Sequence, residues 1–159
     1  MIAVVGHKDL SGSTLHLVES ELRARLERLT ESTTACVRAG AGLPLAFGRA
    51  ARDTGRKLTV LLPAQGSVPA VLPEPDRRAA AELLVLAAQV RLLAFDPGNR
   101  DACVGADENL VSESRTVLAV WDGSLSNGSD ATAHLVAFAR TRGIPVEVVW
   151  PDGASRGNA

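Results

Sequence analysis

Residues 116–140 read TVLAVWDGSLSNGSDATAHLVAFAR. Thr116 to Val120 is the most apolar run in the chain, and Trp121-Asp122-Gly123 ends it. A loop of small residues follows, and Ser129 or Asp130 then stands where it can N-cap a helix running to about Thr141. The run is unbroken rather than alternating, which is the mark of a strand buried on both faces. A buried strand passing through a Gly/Ser loop into an amphipathic helix is half of a βαβ unit.

The same grammar repeats on either side. Ile2 to Val5 is an apolar run stopped by Gly6. Leu15, Val18, Leu22, Leu26 and Leu29 then recur at helical spacing, which predicts a helix over about 14–29. Ala35 to Val37 is a short second strand. A Gly-rich turn leads to a helix near 45–53 that Gly55 closes. Lys57 to Leu62 is a third strand. AQGSVPAVLPEPD, with three prolines and no period, reads as a long loop. A helix over 75–88, a buried strand over 90–95 and a helix within 99–114 follow. Pro145 to Trp150 is the last strand, and Gly143 ends the helix before it. There is no internal repeat and no linker. The pattern predicts one doubly wound, Rossmann-like α/β domain over 1–151. Its sheet would be mainly parallel, of five to six strands with helices on both faces, and a flexible tail would occupy 152–159.

Composition narrows the function classes. A 159-residue chain with 46% hydrophobic and 22% charged residues has enough apolar material for a core. The net charge of −1 and five aromatic residues, Phe47, Phe95, Trp121, Phe138 and Trp150, argue against a nucleic-acid groove or a base-stacking platform. Cys36 and Cys103 form no CxxC and read as buried thiols. No metal site and no cofactor is expected. MIAVVGHKDL reads as a first strand rather than a signal peptide, and no apolar run is long enough for a membrane helix. The default expectation is a cytoplasmic protein.

In a parallel sheet the junctions GHKDLSGST, AGAGLP, LLPAQGS and WDGSLSNGSDAT all fall at one edge, the carboxyl ends of the strands, where ligands bind in such folds. Three are rich in glycine or small hydroxyl residues. Helix N-termini present free N–H groups and a positive dipole that favour phosphate, and glycine lets backbone approach closely. Any one such loop is ordinary turn chemistry, but their convergence points to an anion-binding site. Neither GxxxxGK[ST] nor an ordered GxGxxG is present, so a P-loop and a standard dinucleotide fingerprint are both missing.

IAVVGHKDL, LTVLLP, VLAVWDG…NG…ATAHLVAFAR and IPVEVVWP, in that order over nearly the whole chain, resemble the SLOG superfamily of LOG-type and DprA-type Rossmann domains. The resemblance implies binding of nucleotides or nucleotide-derived ligands. LOG-type phosphoribohydrolases carry PGGxGTxxE, with phosphate on the loop and a glutamate assisting N-glycosidic cleavage. The matching stretch here runs from Asn127 to Leu135. Thr132 fits the threonine, but the glutamate falls on Leu135, which has no acid–base chemistry. The paired glycines are Ser129-Asp130, and Asp130 repels a phosphate unless it turns away or caps the helix. Gly42 stands where related proteins carry an aspartate.

The candidate ligand-binding residues are Gly6, His7, Lys8, Gly40, Gly42, Leu43, Trp121, Asp122, Gly123, Asn127, Gly128, Ser129 and Thr132. His7 either bonds a ligand or caps its turn. Asp122 either meets a ribose or closes a turn, and Trp121 either stacks on a base or packs. Ser11, Ser13 and Thr14 read as caps of the first helix, and His134 and His16 as solvated. His7, Asp122 and Glu108 are the available stand-ins for the lost glutamate. The first expectation is a sensor or carrier of a nucleotide or phosphorylated nucleoside derivative. One rival is an N-glycosidase on nucleoside monophosphates. The other is a non-binding subunit that works through a protein partner. A homodimer packed through the Ala-rich helix near 79–88 is compatible with all three.

Overall fold

The computed structural model describes residues 1–29 and 34–157. The elements run β1 (Ile2–Gly6), α1 (Gly12–Arg28), β2 (Ala35–Arg38), α2 (Leu43–Asp53), β3 (Leu58–Gln65), β4 (Val68–Pro69), α3 (Glu74–Leu86), β5 (Gln89–Ala94), α4 (Arg100–Ser112), β6 (Thr116–Val120), α5 (Thr132–Thr141) and β7 (Val146–Val149). β1 lies between β2 and β6. β3 continues the sheet beyond β2, and β7 continues it beyond β6, all parallel. β5 adds in parallel along β3 from Thr59 to Ala64. This is the Rossmann-like architecture that the strand–helix alternation predicts.

Alternate residues of β1 serve opposite layers. Ile2 and Val4 join the side built with Val18, Leu22 and Leu26 of α1, Phe47 of α2 and Leu83 of α3. Ala3 meets Ala106 and Leu110 of α4, and Val5 meets Leu135, Val136 and Ala139 of α5. The apolar runs of the central strands β1, β2, β3 and β6 are therefore core on both faces. Cys36 and Cys103 are buried free thiols. No helix among the described residues is long and apolar enough to cross a membrane.

Three expectations change. The described sheet has seven strands, because the stretch expected to be a long loop holds a hairpin. β3 continues to Gln65, Gly66 turns at φ 65°, and β4 returns antiparallel with Gln65 opposite Val68. β5, expected to be buried, is an edge strand. Val90 and Leu92 are 43% and 45% exposed, because α3 packs on α2 and leaves that face of β5 open. Residues 152–157, expected to fray, dock on the molecule. The Thr14 hydroxyl accepts from the Ser155 amide and donates to the Ser155 carbonyl, while the Gly157 amide donates to the Asp9 carbonyl. Residues 158–159 of the expected tail lie outside the described residues.

Candidate functional site

The carboxyl ends of β1 and β2 meet the N-termini of α2, α4 and α5 around a cleft of about 250 Å³. Of the residues singled out from sequence, Gly6, His7, Lys8, Gly40, Leu43, Ser129 and Thr132 line it. Gly42, Trp121, Asp122, Gly123, Asn127 and Gly128 do not line it. Four of these, Gly42, Trp121, Asp122 and Asn127, have another task. Gly42 enters α2 at φ 76°, where only glycine is unstrained. The Trp121 indole N–H donates to the Ser124 carbonyl at 2.8 Å and its ring packs on the α5 side of the core, so it is not free to stack on a base. Asp122 accepts from the Ser124 amide and closes that turn.

The Ser/Gly loop bonds to itself. Asn127 Oδ1 accepts from the amides of Ser129 and Asp130, and Ser126 Oγ accepts from the His134 amide. Asp130 Oδ1 accepts from the Thr132 amide at 2.8 Å. Asp130 thus puts its own carboxylate at the N-terminus of α5, where the helix dipole favours negative charge. A second carboxylate repeats the device at α2, where Asp76 Oδ1 accepts from the Ala41 amide at 3.0 Å.

Asp130 also organises a buried cluster. His7 is 1% exposed and stands edge-on to Trp150. Its Nδ1 bonds Asp130 Oδ2. Its Nε2 lies 3.1 Å from the Asp122 amide and 3.0 Å from Asp122 Oδ1. A neutral ring with its proton on Nδ1 accepts the amide; a protonated ring donates to the carboxylate. Arg156 closes the cluster from the C-terminal segment. Its Nη2 donates to Asp130 at 2.7 Å, its Nε to Asp9 at 2.9 Å and its Nη1 to Ser124 Oγ at 2.9 Å, with Asp122 at 3.7 Å. Burial pushes the Asp122 carboxyl upward, but hydrogen bonds from Ser124 and the His7 imidazole outweigh it and hold the group at about 2. Asp130 is lowered in the same way, with burial opposed by the Thr132 bonds and His7. His7, Asp9 and Asp130 bring three possible metal donors together, but the Arg156 guanidinium already supplies the positive charge between the two carboxylates.

Across the cleft, Arg38 at the end of β2 pairs with Asp107 of α4 through two bonds of 2.9 and 3.1 Å. Burial alone would lower the Arg38 pKa; Asp107 outweighs it. Arg100 opens α4 and donates to the Asn127 carbonyl at 2.7 Å. Lys8 is exposed at the rim and carries no ion pair among the described residues. Sequence reading missed Arg38, Asp76, Arg100, Asp107 and Arg156. Asp107 stands one position from the Glu108 that was singled out, and helix periodicity alone separates them: Asp107 lines the cleft, while Glu108 faces away to His134 at 3.2 Å. Leu135, where LOG-type enzymes carry glutamate, is buried in the cleft wall. Ser11 caps α1 through the Thr14 amide, as its position predicts, and His16 is exposed.

No family model matches the chain, and no curated protein matches it in sequence. Solved structures that share its fold include the following two. The Moco carrier protein from Chlamydomonas reinhardtii aligns with a TM-score of 0.57 at 16% identity, over 93% of this chain and 74% of that one. DNA processing protein A from Streptococcus pneumoniae aligns with a TM-score of 0.62 at 16% identity, over 96% of this chain. The chain spans 50% of the length of the latter. Fold and cleft together define a Rossmann-like α/β protein.

Proposed function

We propose that the chain is a SLOG-type protein that binds a nucleotide or phosphorylated nucleoside derivative in the cleft, as a carrier or sensor. One observation carries the reading. Lys8 stands exposed at the cleft rim with no ion pair among the described residues, so its ammonium is available to an anion, whereas Arg38 and the N-termini of α2 and α5 are already met by Asp107, Asp76 and Asp130. The anionic end of the ligand docks toward Lys8 rather than on the Ser/Gly loop, whose amides serve Asn127 and Asp130. A fold neighbour named as a carrier protein supports binding without turnover. So does the apolar Leu135 in place of a catalytic carboxylate.

A thermal-shift screen against ribonucleoside mono-, di- and triphosphates and ribose 5-phosphate tests this. A ligand that binds only the folded chain raises the melting temperature by mass action. We expect a clear rise with at least one nucleotide, and about tenfold weaker binding in Lys8→Glu, about 1.4 kcal/mol. Absence of any shift at millimolar ligand overturns the reading. Release of free base from a bound monophosphate replaces the carrier with an N-glycosidase.

A further inference from the structure

The two edges of the sheet are built differently. β7 closes one edge and is guarded. It has four residues, Pro145 stands before it and Pro151 just beyond it, and Glu147 places a charge in mid-strand that Arg25 of α1 meets at 3.1 Å. Short length, proline and charge are devices that keep an edge strand from pairing with another chain. β5 closes the other edge with fewer of them. It runs six residues, pairs with β3 in an unbroken parallel ladder and contains no proline. No other described strand pairs with it.

The surroundings of β5 are apolar on one side and charged on the other. Val90 and Leu92 are exposed on the face shared with Val60 and Leu62 of β3. Arg91 lies on the opposite face, its guanidinium on the Glu113 carboxylate at 2.6 and 3.3 Å. α3 leads into β5 and exposes Ala81, Leu84 and Val85 at helical spacing. Of the nine exposed large hydrophobic residues among those described, six fall between Val68 and Leu92. Single exposed apolar residues are ordinary; a concentration of them marks an interaction surface.

We infer that the β5 edge and the outer face of α3 form a homodimer interface, with β5 pairing antiparallel to β5 of a second copy about a two-fold axis normal to the sheet. The patch is its own complement, which selects a second copy. Antiparallel pairing sets residues of the same face opposite one another. With Leu92 opposite Leu92 of the copy, Val90 meets Ala94 and Arg91 meets Leu93. Arg91, the one charge in the strand, is thus never opposite its like. On that face each copy brings one cation, Arg91, and one anion, Glu113, so the joined edges carry balanced charge. The axis keeps each face of the sheet on its own side, so both α3 helices flank the joined Val90 and Leu92 side chains. The dimer is independent of what the cleft binds.

Sedimentation velocity of the full chain over a range of micromolar concentrations tests this. We expect a species of twice the 16.6 kDa chain mass that grows with concentration, and slower amide exchange in residues 89–94 as it forms. Leu92→Lys sets like charges against each other across the axis and should leave a folded monomer, with folding checked by circular dichroism. Val85→Glu, at a position 82% exposed, should weaken dimerisation about tenfold or more. Val148→Lys, on the guarded edge, should leave the dimer intact. A chain that is monomeric at every concentration overturns the interface, whatever other protein β5 proves to bind. A dimer that survives Leu92→Lys overturns it too; should that variant fail to fold, survival of the dimer in Val85→Glu decides in the same sense. Loss of the dimer in a folded Val148→Lys places the interface on β7 and overturns this one.

Discussion

Asp130 is the residue on which the site turns. Read in sequence it stands as a possible N-cap of α5; in the fold the N-cap is Ala131, and Asp130 accepts from the Thr132 amide with one oxygen and holds His7 and Arg156 with the other. Asp130→Ala leaves a buried imidazole and a guanidinium without their shared acceptor. Removing one partner of a buried pair costs about 3–5 kcal/mol; because Arg156 is partly exposed, we expect the lower end, read as a fall in the urea midpoint at pH 7. The cluster also sets an acid limit. Asp122 sits at about 2 and Asp130 below its ordinary 3.8, so the folded state holds these carboxylates ionised more strongly than the unfolded chain does. Their stabilisation is complete above roughly pH 5 and is lost as pH falls through 3.8 toward 2. Melting curves from pH 7 to pH 2 should show that loss, and Asp122→Asn should flatten it while lowering stability at pH 7.

At the scale of elements, two glycines that look alike in sequence carry different loads. A Cβ on Gly6, at the end of β1, would meet the Val120 carbonyl oxygen at 2.8 Å, Val120 Cβ at 2.9 Å and Leu43 Cδ2 at 2.4 Å. The first two belong to the neighbouring strand and cannot move without shifting the sheet. A Cβ on Gly48, within α2, would meet Leu83 Cδ2 at 2.5 Å, the far end of a side chain. Alanine there also gains about 1 kcal/mol of helix propensity. Gly6→Ala should therefore cost about 3 kcal/mol, at the upper end of overpacking penalties, and Gly48→Ala clearly less. Paired denaturant melts check the order, and a reversed order would mean that Gly6 tolerates a side chain. Element positions were legible from periodicity and caps, as Ser11 and α1 illustrate. The hairpin of β3 and β4 was not, because three prolines hid two paired residues that only their partners on β3 define.

The whole molecule is closed by its C-terminal segment. Arg156 bonds Asp9 in the β1–α1 loop and both Ser124 and Asp130 in the β6–α5 loop, so one side chain ties two loops that the sheet brings together. Arg156→Ala should lower the melting temperature by roughly 4–8 °C, on the basis of about 2 kcal/mol in a chain of this size. It should also speed amide hydrogen exchange in residues 152–157 ahead of the core strands. Retained protection there would show that the Thr14 and Asp9 backbone contacts hold the segment unaided.

The sequence by itself determined the alternation of strands and helices, the burial of the central strands on both faces, and the sheet edge at which the cleft opens. These are local properties, written in hydrophobic period and turn residues at short range. Only the tertiary structure decided that β5 is an open edge, that Trp121 packs while Asp107 lines the cleft, and that Arg156 completes a cluster begun by His7. The Arg38–Asp107 pair joins residues 69 apart in the chain, and His7–Asp130 joins residues 123 apart. Such contacts leave no periodic trace, because charge and burial are satisfied by whatever the fold brings near, not by neighbours in sequence.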